Sequence, residues 1–103
     1  MDRFYINELH GIYSCLLTDR QNEMLTLHYG DDLSFGEIAE MFSVTRAAVL
    51  DAVNKAKNAL IKYESSMRFH DITNQINKCI SDGVQGTCDT QVCLLKIKSI
   101  LEN

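Results

Sequence analysis

Proline is absent from the 103 residues, so no position forces a helix to break. Val, Ile and Thr form no run that alternates with polar residues, which removes the support for strands and leaves an all-α fold. No stretch of about 18 apolar residues occurs, which excludes a spanning helix and argues against a membrane partner. The start, MDRFYINELHG, carries neither a basic cluster followed by an apolar block nor a small-residue cleavage site. It is read as mature structure and the protein as cytoplasmic. Cys15, Cys79, Cys88 and Cys93 form no Cys-x-x-Cys pair. A zinc site of Cys79, Cys88, Cys93 and His70 is conceivable but irregularly spaced, and buried reduced thiols are the better reading. A Cys79 to Cys88 disulfide stays open only for an oxidising compartment. There is no glycine-rich phosphate loop, and His10, His28 and His70 fall on separate helices, so neither an enzyme nor a cofactor is expected. Asp31 and Asp32 supply too few regularly spaced oxygens for a calcium loop and read as a solvated turn.

What is present is ordinary for a folded chain. Hydrophobic residues at 46% and charged residues at 23% fit a single all-helical domain over residues 1–103 with a modest core. Tyr5, Leu9, Ile12 and Leu16 recur at helical spacing and predict a first helix ending near Leu17. Thr18 with Gln21 has the form of a capping box and opens a second helix over residues 19–29, with Gly30 as its left-handed stop. Beyond Glu64 the pattern weakens, then Phe69, Ile72, Ile76 and Ile80 resume it. The run SDGVQGT, residues 81–87, predicts a loop. A last helix carries Cys93, Leu94, Ile97, Ile100 and Leu101 on one narrow stripe.

Residues 33–56, LSFGEIAEMFSVTRAAVLDAVNKA, hold the most specific pattern. Ser34 and Glu37 repeat the capping box, with Leu33 placed to staple onto Ile38. A short helix over residues 35–42 stops at Ser43 and Val44. Thr45 then caps a longer helix, with Val44 against Val49 as a second staple. Taking about 100° per residue, Ala48, Val49, Ala52, Val53, Ala56, Ala59, Leu60 and Tyr63 share the core side of that helix. A short helix, a tight turn and a second helix able to enter a major groove are the parts of a helix-turn-helix. Ser43 departs from the usual pattern, because a left-handed backbone there favours glycine.

Residues 17–64, LTDRQNEMLTLHYGDDLSFGEIAEMFSVTRAAVLDAVNKAKNALIKYE, resemble the YlxM-type family of small helix-turn-helix proteins linked to the signal recognition particle. The T-D-R-Q entry, the Y-G-D-D-L-S loop and G-E-I-A-E carry the resemblance. The same block is similar to region 4 of bacterial sigma factors, but the chain has no room for a sigma factor's core-binding and promoter-melting regions. The resemblance implies a sigma region 4-like helix-turn-helix core over residues 18–64, flanked by an N-terminal helix and a C-terminal helical extension. It also implies DNA-binding or regulatory activity, with a role near the signal recognition particle.

Charge is uneven along the chain. Residues 1–43 carry two basic and eight acidic side chains, residues 44–68 five and two, and residues 69–103 three and four. Phosphate binding needs local positive charge, which the middle segment has. Thr45 and Arg46 are candidates for phosphate or a guanine edge, Asn54 for adenine and Lys57 for the backbone. Ala47 and Leu50 offer a thymine methyl contact. Asp51 repels phosphate unless it accepts from cytosine, and Asp31, Asp32, Glu37 and Glu40 add acid nearby. Weak, salt-sensitive binding by a monomer is expected, with a homodimer on two half-sites needed for useful affinity. Residues 65–103 are expected to supply the dimer contact. The alternative is an interaction module that uses its acidic N-terminal face, or Leu50 and Ile61, to bind a signal recognition particle component, protein or RNA, without reading DNA.

Overall fold

Each helix that positions the site begins at a side chain able to accept a backbone N–H, so the boundaries follow from local chemistry. The computed structural model describes residues 2–86 and 89–102, and over these the chain is helical with no strand. Asp2 accepts from the Phe4 N–H at 3.1 Å and opens α1, Arg3–Tyr13, which tightens into a 3₁₀ turn at Ser14–Leu16. Thr18 and Gln21 form a reciprocal capping box at the start of α2, Asp19–Leu25. Ser34 and Glu37 do the same for α3, Phe35–Phe42. Thr45 Oγ1 accepts from the Ala48 N–H at 3.1 Å at the start of α4, Arg46–Met67. The remaining helices are α5, Phe69–Gln85, and α6, Thr90–Glu102. None of the described helices is long and apolar enough to cross a membrane.

Contacts group the chain into two units, Met1–Met67 and Arg68–Asn103. In the first unit α4 is the spine. Its N-terminal half sends Val49 and Val53 into a cluster with Met24, Ile38 and Ala39. Its C-terminal half sends Ala56 and Leu60 into a second cluster with Ile6, Leu9, Tyr13, Leu17 and Leu25. Tyr29 packs against both clusters, and burial pushes its hydroxyl pKa up from 10.0. Tyr13, 1% exposed, donates its hydroxyl to Glu64 Oε1 at 2.7 Å, which ties the end of α1 to the distal part of α4. In the second unit α5 and α6 form a hairpin whose buried residues are Cys79 and Cys93.

Several local expectations are corrected. The buried residues of α1 are Ile6, Leu9 and Tyr13; of the predicted stripe Leu9 is buried, Tyr5 and Ile12 pack half-buried against the same cluster, and Leu16 is exposed. The end of α1 at Tyr13 leaves Leu16 outside the helix. Gly30 does not take a left-handed backbone. The second helix ends instead in a π turn, Thr26–Gly30, closed by the Asp31 N–H on the Thr26 carbonyl at 2.8 Å, and Asp32 adopts φ 63°. The segment read as a loop from residue 81 continues α5 to Gln85, where Gly86 at φ 74° ends it; Thr87 and Cys88 lie outside the described residues. A glycine costs a helix only about 1 kcal/mol, and Gly83 faces Cys93, whose Sγ would lie 3.6 Å from an added Cβ. Ala48, placed on the core side by spacing, is exposed. Cys15 is also exposed, whereas Cys79 and Cys93 are buried.

Candidate nucleic-acid interface

The junction of α3 and α4 is built from backbone hydrogen bonds. Ser43 takes φ 54° and ψ 44°, its N–H reaches the Glu40 carbonyl at 3.3 Å, and the Val44 N–H reaches the Ala39 carbonyl at 3.0 Å. This pair of bonds is a Schellman motif with serine in the left-handed position usually held by glycine. Val44, expected to staple against Val49, is 40% exposed. Leu33 does pack on the cluster containing Ile38, as the first staple requires.

Thr45 is exposed at the cap of α4, and its side chain is engaged with the Ala48 N–H. Arg46, Ala47 and Asn54 are exposed, while Leu50 and Lys57 are half-buried. At about 100° per residue, Arg46 to Ala47 by way of Lys57, Leu50 and Asn54 spans one arc of roughly 100°. The side of this arc nearest the core holds Arg46, exposed at the start of the helix, with Lys57 and Leu50. The freely solvated side holds Asn54 and Ala47, then Asn58, Asp51, Lys62 and Lys55, all exposed.

Several acidic side chains of this unit are engaged in pairs or caps. Asp51, a repulsive group toward phosphate, pairs with Lys55 at 3.0 Å one turn on. Asp32 pairs with Arg3 at 2.9 Å, and Arg3 Nε and Asn7 Nδ2 both donate to the Tyr29 carbonyl, at 2.8 and 2.9 Å. Glu37 is held by its capping box. Two arginines lie over rings: the Arg20 guanidinium carbon is 4.4 Å from the Phe42 centroid, and that of Arg46 is 5.7 Å from the Phe35 centroid. Among the described residues no group of three or more His, Cys, Asp or Glu is placed to hold a metal ion, and the zinc and disulfide alternatives both need Cys88, outside the described residues.

A short α3, a hydrogen-bonded turn and a capped α4 with a polar and basic exposed arc form a helix-turn-helix. Residues 1–98 match the family described as "Putative helix-turn-helix protein, YlxM / p13 like". The chain belongs to the UPF0122 family. The resemblance seen in residues 17–64 is borne out, and the family match extends well beyond that block. The UPF0122 chain is 48% identical over 62 residues to a UPF0122 protein of Desulforamulus reducens, covering 60% of this chain and 53% of the relative. It is 41% identical over 75 residues to one of Ureaplasma urealyticum, covering 73% and 76%. With one of Limosilactobacillus reuteri it shares 45% identity over 67 residues, covering 65% and 59%. The chain thus spans little more than half the length of two of these relatives and about three quarters of the third.

Reading the UPF0122 sequence alone passed over several features of the first unit. Lys55 was signalled by its i,i+4 spacing from Asp51. Lys62 stands on the solvated side of α4 and would emerge from the same helical wheel. The contacts of His28 with Phe35, and of Phe35 with Arg46, join residues of the π turn, α3 and α4, so no local spacing announces them. The Tyr13 to Glu64 bond spans 51 positions and is equally silent.

Proposed function

We propose that this UPF0122 protein is a non-enzymatic cytoplasmic regulator that binds double-stranded DNA as a homodimer. Thr45 and Arg46 contact phosphate or a guanine edge, Asn54 reads adenine, Ala47 and Leu50 meet a thymine methyl, and Lys57 reaches the backbone. The observation that carries this reading is the first turn of α4. Its cap is satisfied by Thr45, its entry is set by the Schellman turn, and Arg46 and Ala47 stand exposed just beyond. Pairing of Asp51 with Lys55 lessens the repulsion that would otherwise oppose a phosphate there.

The homodimer is supported by the second unit. A hairpin that buries Cys79 and Cys93 leaves Ile80, Val84, Leu94, Leu95 and Leu101 at least half exposed, a concentration of apolar surface that a second copy would cover. Fluorescence anisotropy with genomic fragments tests the DNA reading. Saturable binding should weaken steeply from low to moderate salt as counterion release loses its advantage. Arg46→Ala should cost about 1 kcal/mol or more. Binding no stronger than to an unrelated polyanion would remove this function.

A second reading is favoured by the acidity of residues 1–43, where Asp31, Glu37 and Glu40 are exposed. Such a face suits a basic component of the signal recognition particle. Titration with the particle's protein and RNA, separately and together, would abandon this reading if no complex formed.

A further inference from the structure

Arg46 is the arginine nearest the start of α4, and ordering a long flexible side chain from a solvated surface costs rotamer entropy on binding unless something already limits it. Its guanidinium carbon lies 5.7 Å from the centroid of the Phe35 ring, within reach of a cation–π contact. Phe35 is itself held. It packs partly buried against the cluster around Ile38, and its ring stacks on the His28 imidazole at 4.3 Å with the planes inclined by 19°. His28 is fixed in turn, with Nδ1 2.9 Å from the Leu33 carbonyl, which requires that nitrogen to carry the proton and donate. Its ring also meets Tyr29 edge-on at 4.8 Å, and the Tyr29 carbonyl accepts from Arg3 and Asn7 of α1. Contacts therefore run without a gap from α1, through the π turn and the first residue of α3, to the first residue of α4.

We propose that Phe35, backed by His28, is the positioning residue that holds the Arg46 guanidinium in the orientation used on DNA. This rests on the DNA-binding reading given above. Free Arg46 then pays less conformational entropy on binding, because the ring has already restricted it. The ring presents only its face, so the guanidinium edges and their N–H donors stay open to a phosphate or to a guanine edge. Phe35 need not touch nucleic acid to influence affinity, and the same stack explains why π-turn residues distant from α4 in sequence would matter at the interface.

Two readouts on the intact chain test this. Phe35→Leu keeps apolar bulk against the Ile38 cluster and removes the ring, while Phe35→Tyr keeps the ring. In the protein without DNA, the Arg46 Nε–Hε NMR resonance should carry a ring-current shift in the wild type and in Phe35→Tyr, and lose it in Phe35→Leu. In anisotropy titrations with a labelled random-sequence duplex, Phe35→Leu should weaken binding by about two- to fivefold, the size of an exposed cation–π contact. It should have no further effect in an Arg46→Ala background, and Phe35→Tyr should bind as the wild type does. An Arg46 resonance indifferent to Phe35→Leu would overturn the proposal, as would equal losses of affinity with and without Arg46. A shifted resonance in a wild-type protein that binds no duplex would instead bring down the DNA reading, and this role of Phe35 with it, which separates the two failures.

Discussion

Ser43 sits at φ 54°, in a region that costs a residue with a Cβ about 1 kcal/mol, yet its backbone completes the turn into α4. Ser43→Gly should relieve that strain, offset in part by the extra freedom of glycine in the unfolded chain, for a net gain of up to about 1 kcal/mol. The urea midpoint of the two proteins checks this, and an unchanged or lower midpoint would contradict it. Tyr13 and Glu64 make the opposite case, a buried polar contact whose loss is costly. Tyr13→Phe removes one donor to a carboxylate that is 9% exposed and should destabilise the protein by about 1–3 kcal/mol. Replacing both, as Tyr13→Phe with Glu64→Leu, should recover part of that loss, because the buried carboxylate is then removed together with this donor.

At the scale of elements, capping boxes were legible because they are written within four residues. Thr18 with Gln21 and Ser34 with Glu37 appear in the structure as the sequence spacing requires. The ends of helices were less legible. Gly30 and Gly83 look alike as breakers, but the first ends a π turn without a left-handed backbone and α5 runs through the second. The junction before α5 yields a pH prediction. Arg68, in a left-handed conformation, bonds the Asp71 carboxylate in the first turn of α5 and, with Gln75, holds the Asp71 pKa below its ordinary 3.8. A carboxylate with a lowered folded-state pKa favours the folded state above its unfolded value, and that contribution fades as pH falls through about 4 and below. Carboxyl ¹³C titration should therefore place Asp71 below 3.8, and Arg68→Ala should move it upward.

For the whole molecule, the two units differ in how well each closes its own core. The first buries two clusters along α4, whereas the hairpin of α5 and α6 keeps most of its large apolar residues in contact with solvent. Light scattering at micromolar concentration should report a dimer, and Leu94→Asp should shift it to a monomer and weaken duplex binding by removing the second half-site contact. A monomeric wild type would refute the pairing. The candidate site depends on this scale as well. Arg46, Ala47 and Asn54 could be placed on the exposed side of α4 from periodicity, but the half-burial of Leu50 and Lys57 depends on how the other helices lie against it.

The sequence by itself determined the all-α class, the caps of α2, α3 and α4, and the helix-turn-helix pattern, because each depends on interactions no more than a few residues apart. Tertiary structure decided which apolar residues of α1 are fully buried, that Val44 stays 40% exposed, and that Arg46 lies over Phe35 while Phe35 stacks on His28. Those outcomes depend on packing between helices far apart in the chain, where several arrangements satisfy the same local spacing and only the sum of contacts selects one.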